Sequence, residues 1–193
     1  MIEAVVLSTV VIFVAELGDK SQLMAMTFAT RYRARDVILG ITAATLLVHL
    51  ASVGIGYVIG AGFERYQGPI AVAAGIAFLG FALWTLRGDE LTEEEEQRAQ
   101  KATGSALLAV GIAFFLAELG DKTMLATITL AVREDWFGTW IGSTIGMVAA
   151  DALAIAVGAV LGRKLPERVI TYGAAAAFAI FGVLLIAEGL GWI

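Results

Sequence analysis

Six long apolar stretches run along this chain, at roughly 4–30, 37–60, 68–87, 105–132, 137–162 and 168–190. Only glycines or short charged segments separate most of them. About 20 apolar residues carry a helix across a bilayer. Helices satisfy their own backbone in lipid, and these runs are too long for barrel strands. The pattern therefore predicts an all-α membrane protein of six transmembrane helices. One interruption is longer: residues 88–104 read G-D-E-L-T-E-E-E-E-Q-R-A-Q-K-A-T-G, an acidic linker. Thr92 followed by Glu95 fits a capping box, so a short surface helix can begin there.

Composition agrees. Of 193 residues, 59% are hydrophobic and 16% charged, against roughly 45–50% and about 25% in soluble domains. Mean hydropathy is +0.85. There is no Cys and a single His, His49, which excludes disulfides, thiol catalysis and multi-His zinc sites. The net charge of −5 comes largely from the linker and gives no basic face for nucleic acid. Met1-Ile2-Glu3 lacks a basic lead-in, so no cleavable signal is expected.

The cationic residues set an expected orientation. Lys20 and Lys122 lie inside spans; Arg31, Arg33, Arg35, Arg87, Arg98, Lys101, Arg163, Lys164 and Arg168 fall on one side, and only Arg65 and Arg133 on the other. The richer side is expected to be cytoplasmic, with both termini outside a plasma (inner) membrane. Trp84, Trp136, Trp140, Trp192, Tyr66 and Tyr172 fall near the predicted interfaces.

The chain also repeats itself at a shift of 102 residues. Phe13–Arg31 and Phe115–Arg133 share 11 of 19 positions, and Gly40, Thr42, Gly56, Gly60 and Gly80 meet Gly142, Thr144, Gly158, Gly162 and Gly182. The units are 1–87 and 105–193, three helices each, joined by 88–104. An odd number of spans per unit makes the second cross in the opposite sense, as inverted-repeat transporters do, with a site at mid-membrane between the units.

Charge stands at that place. Glu16-Leu17-Gly18-Asp19-Lys20 is central in the first span and Glu118-Leu119-Gly120-Asp121-Lys122 in the fourth. Each such charge costs about 2.5–3.5 kcal/mol on insertion scales. Pairing at i,i+4, Glu16 with Lys20 and Glu118 with Lys122, would reduce the load. Gly18 and Gly120 should loosen the helix there and expose backbone carbonyls. Ser21, Gln22 and Thr123 follow with polar side chains, and spans two and five add His49 and Asp151, equivalent under the same shift. Five carboxylates against two ammonium groups leave three negative charges. A buried site of that charge must hold protons or a cation. Carboxylate, hydroxyl and amide oxygens suit Ca²⁺, Mn²⁺ or Mg²⁺. Competition between proton and metal for the same oxygens is the basis of an exchanger. A channel using the same acids, or a scaffold with the charges as helix glue, remains open. The Gly-xxx-Gly spacings of spans two and five are read as packing, and His49 as packing or a proton-path residue.

The two Glu-x-Gly-Asp-(Lys/Arg)-(Ser/Thr) motifs resemble those of the Golgi, chloroplast and bacterial Ca²⁺/Mn²⁺:H⁺ exchanger family. The resemblance implies a secondary transporter, not an enzyme, with no resident cofactor, that exports Mn²⁺ in preference to Ca²⁺ from the cytoplasm in exchange for protons. It implies Glu16, Asp19, Glu118 and Asp121 as cation ligands, with Ser21, Gln22 and Thr123 completing or orienting the shell. Lys20 and Lys122 would balance charge, and Asp151 and His49 would assist proton movement. Met124 stands where the family often has Gln. The short length and the absence of a transit segment look like a prokaryotic member.

Overall fold

The computed structural model describes residues 1–62, 66–87, 92–95, 97, 105–161 and 167–192, and among these every regular element is helical. We number the principal helices α1 (Ile2–Glu16), α2 (Lys20–Ala29), α3 (Ala34–Gly62), α4 (Gln67–Arg87), α5 (Ala106–Glu118), α6 (Lys122–Ala131), α7 (Trp136–Leu161) and α8 (Glu167–Gly189). Among the described residues, four stretches are long and apolar enough to cross a membrane unbroken: Ala34–Gly62, Gly68–Arg87, Trp136–Ala159 and Thr171–Gly189.

The two remaining expected spans, 4–30 and 105–132, are each split into a pair of helices. Leu17 is extended (φ −62°, ψ 121°), Gly18 takes φ +76°, and Asp19 is extended again before α2 starts. The same turn recurs with Leu119, Gly120 at φ +80° and Asp121 before α6. A positive φ is open to Gly at no steric cost and penalised elsewhere, so the Gly of the motif converts one long helix into two. The break falls at the same motif position in both copies, and α6 follows α2 to the residue at the 102-residue shift.

The two units interlock. The first helix of each lies against the long third helix of the other, α1 on α7 and α5 on α3. Glycines allow the approach: a Cβ at Gly146 would sit 2.5 Å from the Thr9 carbonyl oxygen on α1. The Gly56/Gly60 and Gly142/Gly146 spacings are thus packing, as expected, while Gly162 of the third spacing lies outside the described residues. A third close pair, α4 with α8, carries an edge-packed cluster of Phe78, Phe81 and Phe178.

Two cores result. One gathers Val11, Ile12, Ala15, Ala126, Leu130 and Met147 onto Phe78 and Phe178, joining α1, α6 and α7 to the α4–α8 pair. The other gathers Met24, Phe28, Ile41, Val110, Phe114 and Ile155 from α2, α3, α5 and α7, without α4 or α8. So α1 and α6 seal against the α4–α8 pair, and α2 and α5 make no comparable contact with it.

Polarity is inverted relative to a soluble protein. Leu47, Ile76, Leu83, Leu108 and Ile180 are each about 60% or more exposed, whereas Glu16, Asp19, Glu118 and Asp151 are wholly buried. That distribution suits a lipid surround. Arg65, Arg98, Lys101, Arg163, Lys164 and most of the 88–104 linker lie outside the described residues. The linker's Thr92 and Glu95 do form the expected capping box: the Thr92 N–H donates to Glu95 Oε2 at 2.9 Å and the Glu95 N–H to Thr92 Oγ1 at 3.3 Å.

Candidate cation site

The helix breaks bring the motif acids together. Glu16 is the last residue of α1 and Glu118 the last of α5, while Asp19 and Asp121 occupy the N-cap positions of α2 and α6. Neither Asp caps its own helix through its side chain. A carboxylate is favourable at a helix N-terminus and unfavourable at a C-terminus, so the two glutamates depend on other partners. One oxygen each of Glu16, Asp19 and Glu118 lie within 4.8 Å of one another. Oxygens on opposite sides of a hard divalent ion stand about 4–5 Å apart, so one ion can touch all three. Asp121 is buried nearby but outside that trio.

Hydroxyls from the following helix grip these acids. Ser21 Oγ contacts Glu16 Oε1 closely and lies 3.1 Å from Asp19 Oδ2. Thr123 Oγ1 donates to Glu118 Oε2 at 2.8 Å. Each hydroxyl therefore ties two helices across a break. Among the described residues, Glu16 Oε2, Glu118 Oε1 and both Asp151 oxygens have no hydrogen-bond partner. Buried carboxylate oxygens in that condition favour a proton or a cation.

The lysines pair differently from expectation. Among the described residues no ion pair joins Glu16 to Lys20 or Glu118 to Lys122; instead Lys122 closes on Asp19, and Lys20 stands 3.7 Å from Asp121. The reason is the break itself. An i,i+4 pair needs a continuous helix, and the positive φ at Gly18 and Gly120 ends it between the partners. The ion pairs thus cross between the repeats. Lys20 also reaches Glu95 of the linker at 3.3 Å, a partner that local spacing could not reveal across 75 residues.

Gln22 is engaged at both ends. The Gly18 N–H donates to its Oε1 at 2.9 Å, and its Nε2 donates to the Ala150 carbonyl at 3.1 Å. It fastens the first break to α7 beside Asp151. Met124, its counterpart, accepts the Gly120 N–H on sulfur at 3.1 Å. Asp151 lies within electrostatic reach of Glu16, Asp19 and Glu118. His49 is buried on α3, and neither ring nitrogen has a hydrogen-bond partner among the described residues.

An oxygen-lined, net-negative cluster inside an apolar helical bundle suits a membrane protein that handles cations. Comparison with known proteins makes the class specific. Residues 4–93 and 106–192 match the family described as "Divalent cation/proton antiporter GDT1", and the chain belongs to that family. It is therefore a secondary transporter that exchanges a divalent cation for protons. It is 33% identical over 165 residues to a Vibrio cholerae protein named "Putative manganese exporter", covering 83% of this chain and 78% of that one. A Synechocystis protein, "GDT1-like protein sll0615", is 29% identical over 199 residues, covering 95% and 97%. "GDT1-like protein 2, chloroplastic" of Oryza sativa is 34% identical over 199 residues, covering 89% of this chain and 57% of its own length. No solved structure matches.

Proposed function

We propose that this antiporter exports Mn²⁺ from the cytoplasm in exchange for protons, through six membrane crossings arranged as two inverted repeats. In this account α1–α2 and α5–α6 each act as one broken crossing. The units are 1–87 and 105–193, the linker is cytoplasmic, and both termini face outside. Glu16, Asp19 and Glu118 hold the metal, and Asp121 joins them. Ser21, Thr123 and Gln22 orient the shell. Lys20 and Lys122 take up carboxylate charge when the ion leaves, while Asp151 and His49 assist proton movement. Protons and metal compete for the same oxygens, so protonation on the outer side releases the metal there. The manganese assignment draws on the name of the Vibrio relative and on a donor set of hard oxygens, which admits Mn²⁺.

One observation carries the proposal: oxygens of Glu16, Asp19 and Glu118, from both repeats, stand within a single ion's reach. The test is proton release on metal binding. Titrating Mn²⁺ into the detergent-solubilised protein in buffers of different ionisation enthalpy should give heats that track the buffer, and Glu16→Gln should release fewer protons. Tight binding without proton release would make the site a channel's. A folded protein that binds no Mn²⁺ would count against the proposal and for a scaffold.

A further inference from the structure

Lys20 and Lys122 occupy equivalent places, yet their surroundings differ. The Lys122 side chain is 2% exposed and closes on Asp19; the Lys20 side chain is 17% exposed and shared between Asp121 at 3.7 Å and Glu95 at 3.3 Å. Glu95 belongs to neither repeat. Its carboxylate is divided by the capping box: Oε2 accepts from the Thr92 N–H and hydroxyl, both at 2.9 Å, which leaves Oε1 for the Lys20 ammonium. The linker turn therefore presents a fixed negative charge at the partly exposed side of the site.

A divalent cation that joins Asp121 repels the ammonium beside it. Lys20 can yield at low cost only where a second carboxylate receives it. We propose that Glu95 is a positioning residue of the transport cycle, competing with Asp121 for Lys20 so that Asp121 can pass from the lysine to a cation arriving from the linker side. Glu95 would then set how readily the site fills, not how fast the loaded protein turns over. Its charge is steady. Partial burial alone would raise its carboxyl, but the Thr92 hydrogen bonds and the Lys20 ammonium outweigh this and hold it below the usual carboxylate range. It thus acts as a counter-ion at neutral pH and does not carry protons.

This inference rests on the exchanger reading, so two measurements separate their failures. In proteoliposomes, Glu95→Gln should raise the half-saturating Mn²⁺ concentration about two- to fivefold, as loss of a partly exposed ion pair implies, with the maximal rate within about twofold. Glu95→Asp should recover part of the loss. Glu93→Gln, which removes the same charge from the same turn, should change neither quantity, and Glu95→Gln should add nothing to Lys20→Gln. Separately, carbodiimide treatment of the native protein should join Lys20 to Glu95 by an amide bond with loss of water, read by peptide mass spectrometry. An unchanged half-saturation, an equal rise in Glu93→Gln, or no 20–95 cross-link would overturn the proposal. Wild-type protein that moves no metal would remove the exchanger reading and the role of Glu95 with it, while the cross-link still reports the contact.

Discussion

The two repeats share a motif almost residue for residue and use it differently. In the second copy Lys122 is sealed with Asp19, and α6 packs against the α4–α8 pair. In the first, Lys20 is partly exposed toward the linker, and α2 lies away from that pair. The first break is fastened to α7 through Gln22, whereas at the second break its counterpart Met124 accepts the Gly120 N–H on sulfur. A symmetric sequence has settled into an asymmetric structure, closed around one lysine and accessible at the other. In the proposed inverted-repeat arrangement, exchanging the roles of the halves would give the mirror state, the exchange that alternating access requires.

Several substitutions would break or sharpen this contrast. The largest effect belongs to the acids, where the repeats should behave alike. Glu16→Gln and Glu118→Gln each remove a carboxylate charge and weaken its hydrogen bond to a hydroxyl. Each should cut pH-driven Mn²⁺ transport by about a hundredfold or more while the protein still folds. A large residual rate in only one of them would show that the halves do not share the ion. The lysines should differ. Removing one partner of a wholly buried pair costs about 3–5 kcal/mol, whereas a partly exposed pair is worth about 1 kcal/mol or less. Lys122→Gln should therefore lower the thermal unfolding midpoint in detergent clearly more than Lys20→Gln does. Equal losses would erase the asymmetry.

A smaller effect is expected of Gln22→Met, which gives the first break the sulfur of the second and removes the hydrogen bond to Ala150, a destabilisation of about 1 kcal/mol in unfolding experiments. Met124→Gln should be close to neutral. Smallest is the acid sensitivity of the Lys20–Glu95 contact. The Glu95 carboxyl lies below its ordinary value of 4.5, so the contact contributes fully above that value and is lost as pH falls through the lowered one. Carbodiimide reactivity itself varies with pH, so the check is the Lys20–Glu95 distance from paired spectroscopic labels. It should hold at pH 5 and lengthen only in stronger acid.

Much of this was legible in the sequence because its signals are local or periodic. The 102-residue repeat and Gly18 and Gly120 located both breaks, and the charge at mid-span marked the acids that converge. What escaped depends on contacts between distant segments. Pairing Glu16 with Lys20 presumed a continuous helix, and the very glycine expected to loosen it sends the lysines across to the opposite repeat. Glu95 could be read as a helix cap from its distance to Thr92, but not as the partner of a lysine 75 residues earlier. Gln22 carries the groups of a ligand, and only the positions of Gly18 and Ala150 reveal that both its ends are engaged.

The most direct test of the central claim is Mn²⁺ flux into proteoliposomes with and without an imposed pH gradient, beside Ca²⁺ and a Glu118→Gln control. Mn²⁺ movement that follows the gradient, reverses with it and vanishes in the variant is the predicted result. Flux indifferent to the gradient, or undiminished in Glu118→Gln, would contradict an exchanger built on this site.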